Sequence, residues 1–263
     1  MIDAFFTHDG SIFYPTDHCR GPWDEHACHA GPPTGLLARA LEQQVADQQL
    51  VRITVDLLRA IPFAGFTIDA STVRQGRTVS TTSATLLSLE GKPIVTAKGL
   101  HMKPQPTYAY NTHSVSYGIP ENAHQGLFPI RHSRHNKAFF SGTGVQVRYP
   151  DEHDHNPGPT TAWLKTVPLL NDEEPSPFQR MCPMADCGNA FSRNNDLQEV
   201  AFLNTDLTVM LFRAPVGDWM GSHSEGFWEP NGIGLADAQL FDEIGVVGRA
   251  LQTLLLKPNT ANS

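Results

Sequence analysis

Basic residues are scarce in this 263-residue chain: 19 Lys and Arg stand against 27 Asp and Glu, a formal charge of −8 with histidines neutral. A nucleic-acid partner needs a dense basic face to grip phosphates, and no such run occurs. Long apolar runs are missing too; none approaches the roughly 18 residues that span a bilayer. Met1-Ile2-Asp3-Ala4 has neither the basic nor the apolar region of a secretory leader, so a cytoplasmic chain with no membrane partner is expected. Cysteine is sparse: Cys19, Cys28, Cys182 and Cys187 are no disulfide framework for a chain this long. No phosphate-cradling glycine loop or dinucleotide fingerprint is present, and no cofactor is expected.

Two catalytic patterns are approached and not met. Ser222-His223-Ser224-Glu225-Gly226 lacks the first glycine of a nucleophile elbow. The residues after it, Phe227 to Gly232, read as a turn, and no histidine follows His223, so a Ser-Asp-His hydrolase is not expected. His18, Cys19, His26, Cys28 and His29 form one candidate metal group, and Asp151, His153, Asp154 and His155 another. Neither has zinc-site spacing, and reduced thiols with solvated loop histidines account for both, so no metal is expected. Cys182 and Cys187 are too far apart for a redox pair.

What is present is 40% hydrophobic residues and a repeat. Thr54-Val55-Asp56-Leu57-Leu58-Arg59-Ala60 resembles Thr208-Val209-Met210-Leu211-Phe212-Arg213-Ala214, 154 residues later. At the same shift Leu86 meets Leu240, Gly91 meets Gly245 and Leu100 meets Leu254. Each half opens with a helix. Pro32-Pro33 starts the first, which runs to about Gln48 with Leu37, Ala40, Leu41 and Val45 as its apolar stripe. Strands follow at Leu50–Arg59, Phe66–Val73, Thr78–Leu89 and Ile94–Met102. The second half pairs a helix over Phe178–Arg193 with strands at Val200–Arg213, Trp219–Gly226, Ile233–Asp242 and Val246–Leu256. A helix followed by antiparallel strands, twice, is an α+β pattern. Between them, Lys103 to about Lys137 is rich in Pro, Asn, His and Ser and reads as a surface linker.

The segment His29-Ala30-Gly31-Pro32-Pro33-Thr34-Gly35-Leu36-Leu37-Ala38-Arg39-Ala40, followed by Arg52–Arg59 and Pro62-Phe63, resembles the acyl-CoA thioesterase II-type family. Phe202–Val209, Gly232–Ala236 and Gly248–Thr253 extend the resemblance through the second half. It implies a double hotdog: two fused repeats, each a long helix wrapped by an antiparallel sheet. The corresponding division is residues 1–103, a linker 104–137 and residues 138–263. The implied partners are an acyl-CoA substrate and further copies of the chain, and the implied setting is lipid metabolism.

The family's chemistry, carried over by resemblance, is thioester hydrolysis by a water held between an Asp, a Ser or Thr hydroxyl and a Gln. Asp206 lies seven residues before Arg213, matching the family's Asp, and Gln252 matches its Gln. No threonine lies between Gly221 and Gly232, so Ser224 is expected to supply the hydroxyl, with Ser222 in reserve on the same strand face. Backbone donors for the oxyanion are expected at Gly31, Thr34 and Gly35, since Pro32 and Pro33 have no N–H. Asp186, beside Gly188 and Asn189, is a fallback acid or base and otherwise a local cap. Two other readings stand beside hydrolysis: a silent acyl-CoA binder, and a hydratase or dehydratase using His29 with an acidic partner that the sequence does not reveal.

Overall fold

The computed structural model describes residues 3–22, 24–106, 108, 115–130 and 139–259. In chain order the elements are β1 (Phe6–Asp9), β2 (Ile12–Pro15), α1 (Gly31–Glu42), β3 (Gln49–Leu57), β4 (Phe66–Arg74), β5 (Val79–Ser88) and β6 (Pro93–Met102). There follow β7 (His124–Gly126), β8 (Val145–Tyr149), β9 (Thr160–Thr166), α2 (Pro177–Ala185) and α3 (Gly188–Phe191). The last five are β10 (Val200–Asn204), β11 (Asp206–Leu211), β12 (Met220–Trp228), β13 (Ile233–Asp242) and β14 (Gly245–Pro258).

All named strands pair antiparallel in a single sheet, ordered β1-β2-β4-β5-β6-β3-β11-β14-β13-β12-β9-β8-β7, with β10 also on β14. Read from β3 outward or from β11 outward, the connectivity is the same for five strands. The two central strands are the ones that carry the sequence repeat. Thr54 of β3 pairs directly with Thr208 of β11, and the Thr208 hydroxyl donates to that of Thr54 at 3.3 Å. Gly91, in the turn before β6, and Gly245, the first residue of β14, both sit at positive φ, where an L side chain would be strained.

Helix α1 is buried almost all round, including Leu36, Leu37, Ala38 and Leu41. It ends at Glu42, six residues short of the expected end. Beyond that point only Val45 buries an apolar side chain before β3, Ala46 being exposed, and the chain turns into β3 instead. Glycines let α1 cross α2 closely: a Cβ on Gly31 would sit 2.8 Å from the Pro183 Cα, and one on Gly35 3.3 Å from the Gln179 carbonyl oxygen. The expected single helix over Phe178–Arg193 is a correction, because it breaks into α2 and α3 at Asp186-Cys187. Pro183 lies inside α2 and supplies no N–H to its hydrogen-bond ladder. Ser176 caps α2 by accepting from the Gln179 N–H at 3.2 Å, and its hydroxyl donates to Glu42 at 2.9 Å. Burial pushes the Glu42 carboxyl above its usual range, with Gln179 and Ser176 opposing it.

Four strands of sheet came with no warning: β1 and β2 before the first helix, and β8 and β9 before the second. The stretch expected as a surface linker also differs. Of its described part, His124–Gly126 adds β7 at the sheet edge, while Phe128 and Ile130 are buried in the core. No helix among the described residues is long and apolar enough to cross a membrane.

Candidate active site

The break between α2 and α3 leaves Asp186 as the C-cap of α2, facing the sheet with its side chain 4% exposed. Three groups from distant parts of the chain converge on it. Asn204, the last residue of β10, donates its Nδ2 to Asp186 Oδ1 at 2.9 Å. Gln252 of β14 donates its Nε2 to the same oxygen and to the Asp186 carbonyl, both at 3.1 Å. The Gln252 carbonyl accepts from the Asn189 N–H at 3.0 Å, which fixes which way the amide points. His29, just before α1, brings Nδ1 to 3.1 Å from Asp186 Oδ2. His29, Asp186, Asn189 and Asn204 share a cavity of about 270 Å³, walled by Leu57, Ile61, Phe128, Ile130 and Phe202. A carboxylate at the edge of an apolar cavity, oriented by two amides and an imidazole, can act on a water.

The expected residues fall on and off this cluster. Gln252 is in it. Asp206 is not: its carboxylate accepts from the Thr253 N–H at 2.7 Å, and neighbours on a strand face opposite ways, so Gln252 points inward and Asp206 outward. The reason is a one-residue slip. Asn204 pairs with Leu254 but Thr208 pairs with Leu251, so Thr205 is an extra residue, and side chains on either side of it exchange faces. Unbroken alternation would have carried Asp206 inward with Asn204. Ser224 is fully buried on the inner face of β12, and its hydroxyl donates to Ser222 at 3.1 Å. It approaches the Gln252 carbonyl across Gly188, whose Cβ position lies 3.4 Å from Gln252 Oε1 and 3.8 Å from Ser224 Oγ. Among the described residues no hydroxyl is hydrogen-bonded to Asp186 or to the Gln252 side chain. Of the three expected oxyanion donors, the Thr34 N–H bonds the Ala30 carbonyl at 3.0 Å and Gly35 lies within α1, facing Leu169 and Gln179. The Gly31 N–H is outside the helix's own hydrogen-bond ladder and donates to His29 Nδ1 at 3.2 Å.

Two thiols lie close to Asp186. Burial first, and then the Asp186 charge, hold Cys187 well above the usual thiol range. Cys182 is raised by burial, then by Glu42 and Asp186. Thiols kept protonated in this way are poor nucleophiles, which leaves water as the reactant the cluster can activate.

The family model of the acyl-CoA thioesterase N-terminal domain matches residues 19–102, and that of the C-terminal domain matches residues 120–256. The chain belongs to the acyl-CoA thioesterase family. Solved structures agree on the fold of this thioesterase-family chain. A protein described as a candidate thioesterase from Novosphingobium aromaticivorans is 16% identical, with TM-score 0.72, covering 96% of this chain and 98% of its own. A hotdog-fold protein from Alicyclobacillus acidocaldarius is 14% identical, with TM-score 0.69 and 97% of each chain covered. An acyl-CoA thioesterase II from Mycobacterium marinum is 13% identical, with TM-score 0.64, covering 98% of this chain and 96% of its own. At such identities the likeness carries the hotdog fold alone. No curated protein matches the sequence.

Missing from the sequence-based site are Asn204 and the pairing of His29 with Asp186. Asn204 carried a weak signal, two residues before Asp206 in the matched segment, but the extra residue at Thr205 leaves no mark in the sequence.

Proposed function

We propose that the protein hydrolyses an acyl-CoA thioester to free acid and CoA, and that Asp186 is the base. The observation that carries this reading is the convergence of Asn204, Gln252 and His29 on one buried carboxylate inside an apolar cavity. Asp186 Oδ1 already accepts two amide donors, so Oδ2 is the oxygen with a lone pair left for water. Asn204 Oδ1 has no hydrogen-bond partner among the described residues and lines the same cavity. A water donating one hydrogen to Asp186 Oδ2 and the other to Asn204 Oδ1 aims its lone pair at the thioester carbon. Asp186 then takes the proton as the carbon–oxygen bond forms. In this reading Asn204 does by amide what a hydroxyl would do, and Ser224 supports Gln252 from behind Gly188.

The same proposal takes the chain as two fused hotdog repeats meeting at β3 and β11, with residues 1–103 and 138–263 as the halves and 104–137 joining them. It places the acyl chain against Leu57, Ile61, Phe128 and Phe202, and takes the protein to act as a homo-oligomer in the cytoplasm. Release of free thiol from a panel of acyl-CoA esters tests it, and binding without turnover would make the chain a silent acyl-CoA binder.

A second reading is favoured by one contact. Hydration of an enoyl-CoA by a His and an acidic residue needs that residue on the facing helix, and Asp186 lies 3.1 Å from His29. Loss of enoyl absorbance on adding the protein, with no thiol released, would select it.

A further inference from the structure

His29 precedes α1 and Asp186 ends α2, so the pair joins residues 157 apart in sequence at 3.1 Å, with side chains 12% and 4% exposed. The imidazole does not hang free. It stacks on the Phe140 ring, with centroids 3.9 Å apart and planes 14° from parallel, and Phe5 and Phe128 pack against Phe140 in turn. Its Nδ1 has two neighbours, Asp186 Oδ2 and the Gly31 N–H at 3.2 Å, and one nitrogen cannot serve both. Bare, it accepts from Gly31; protonated, it donates to Asp186. Nε2 has no hydrogen-bond partner among the described residues, is not a sealed buried atom, and belongs to a ring that lines the cavity. An imidazole held by its far nitrogen against a carboxylate, with its near nitrogen unengaged, is arranged to move protons.

We propose that His29 is a second catalytic residue, the acid that protonates the departing sulfur, in the hydrolysis for which Asp186 is the base. The inference rests on the thioesterase reading above. The cycle starts with Asp186 ionised and His29 protonated on both nitrogens. Water adds to the carbonyl carbon, its proton goes to Asp186, and the carbonyl electron pair moves onto oxygen. Because Nδ1 donates to Asp186 in this state, the Gly31 N–H has lost its acceptor and is free to bind that oxygen at the start of α1. The oxygen's pair then returns, the carbon–sulfur bond breaks with its pair on sulfur, and the Nε2 proton passes to sulfur. Asp186 gives its proton to solvent and Nε2 regains one from it. One water is consumed, and an acid and a thiol are formed. A single protonation state of His29 thus supplies the acid and releases the oxyanion donor.

The leaving group tests this. An arylthiolate is a weak base and departs unaided, whereas the alkylthiolate of CoA gains from a proton. Hydrolysis of hexanoyl-CoA and of the hexanoyl ester of thiophenol is compared in wild type and in His29→Phe, which keeps a ring on Phe140 and removes both nitrogens. Loss of a general acid predicts a kcat fall of about 10²–10³ on the CoA ester and less than about fivefold on the aryl ester. Added imidazole should restore the CoA-ester rate of His29→Ala and leave its aryl-ester rate unchanged. If thermal melting shows that His29→Phe does not fold, His29→Asn takes its place. Equal losses on the two esters, or no loss on either, overturn the assignment of His29 and leave the thioesterase reading standing. A folded wild type that cleaves neither ester overturns the thioesterase reading itself.

Discussion

Asp186→Asn isolates charge from shape. The substituted amide fills the same space, and its oxygen can still accept from Asn204 and Gln252, as Asp186 Oδ1 does at 2.9 and 3.1 Å. Its nitrogen then replaces Oδ2 and can donate to a bare His29 Nδ1, which stands 3.1 Å away. The hydrogen-bond pattern survives, but three charge-assisted contacts become neutral ones. Hydrogen bonds to charged groups contribute about 1.5–3 kcal/mol against about 1 for neutral ones, so three contacts together lose about 1.5–6 kcal/mol in stability before relief of carboxylate burial offsets part of it. Activity should fall as well as stability. Without a base, kcat on an acyl-CoA ester should drop by about 10²–10⁴, equivalent to about 3–5 kcal/mol of barrier. Thiol release under saturating substrate measures the first effect, and thermal melting of the same sample measures the second. A folded Asp186→Asn variant with kcat within about threefold of wild type would refute the role of Asp186 as base.

Other perturbations reach different parts of the argument. Asp206→Ala, which removes only the outward contact to the Thr253 N–H, should reduce kcat at least about tenfold less than Asp186→Asn in the same thiol-release assay. Asn204→Ala removes one orienting amide and should cost about 10- to 100-fold in kcat while leaving KM within a few-fold. Gly31→Ala forces a methyl to 2.8 Å from the Pro183 Cα, between two backbones that cannot yield cheaply, and should destabilise by about 1–3 kcal/mol, read as a melting temperature lowered by several degrees. His101 is fully buried with Nε2 2.8 Å from the Thr82 hydroxyl and Nδ1 unbonded, and burial holds its pKa below the usual range. The unfolded chain therefore takes up that proton first. Stability should be full above about pH 6.5 and decline as pH falls toward the folded-state value, and the decline should be shallower in melts of His101→Gln.

Periodicity and turn chemistry were readable wherever they act locally. Pro32-Pro33 signalled a helix start, and the expected strands over β5 and β13 lie within two residues of the observed ones. The match of Thr54 to Thr208 pointed to two similar halves; that these two strands meet at the middle of the sheet came only from the structure. Gln252 came from the family resemblance alone; alternation along its strand says only that it shares a face with Ala250 and Leu254. The rest depended on events with no local mark. Strands β1 and β2 have only four residues each and β8 five, too few to show a clear alternation. The extra residue at Thr205 costs nothing visible in composition, yet it turns Asp206 out to solvent and leaves Asn204 facing the cavity. Asp186 looked like a helix cap and is one; what makes it a candidate base is the arrival of Asn204, Gln252 and His29 from 18, 66 and 157 residues away. Such a cluster is a property of packing, since only the crossing of α1 over α2 at Gly31 brings an imidazole from one half of the chain against a carboxylate of the other.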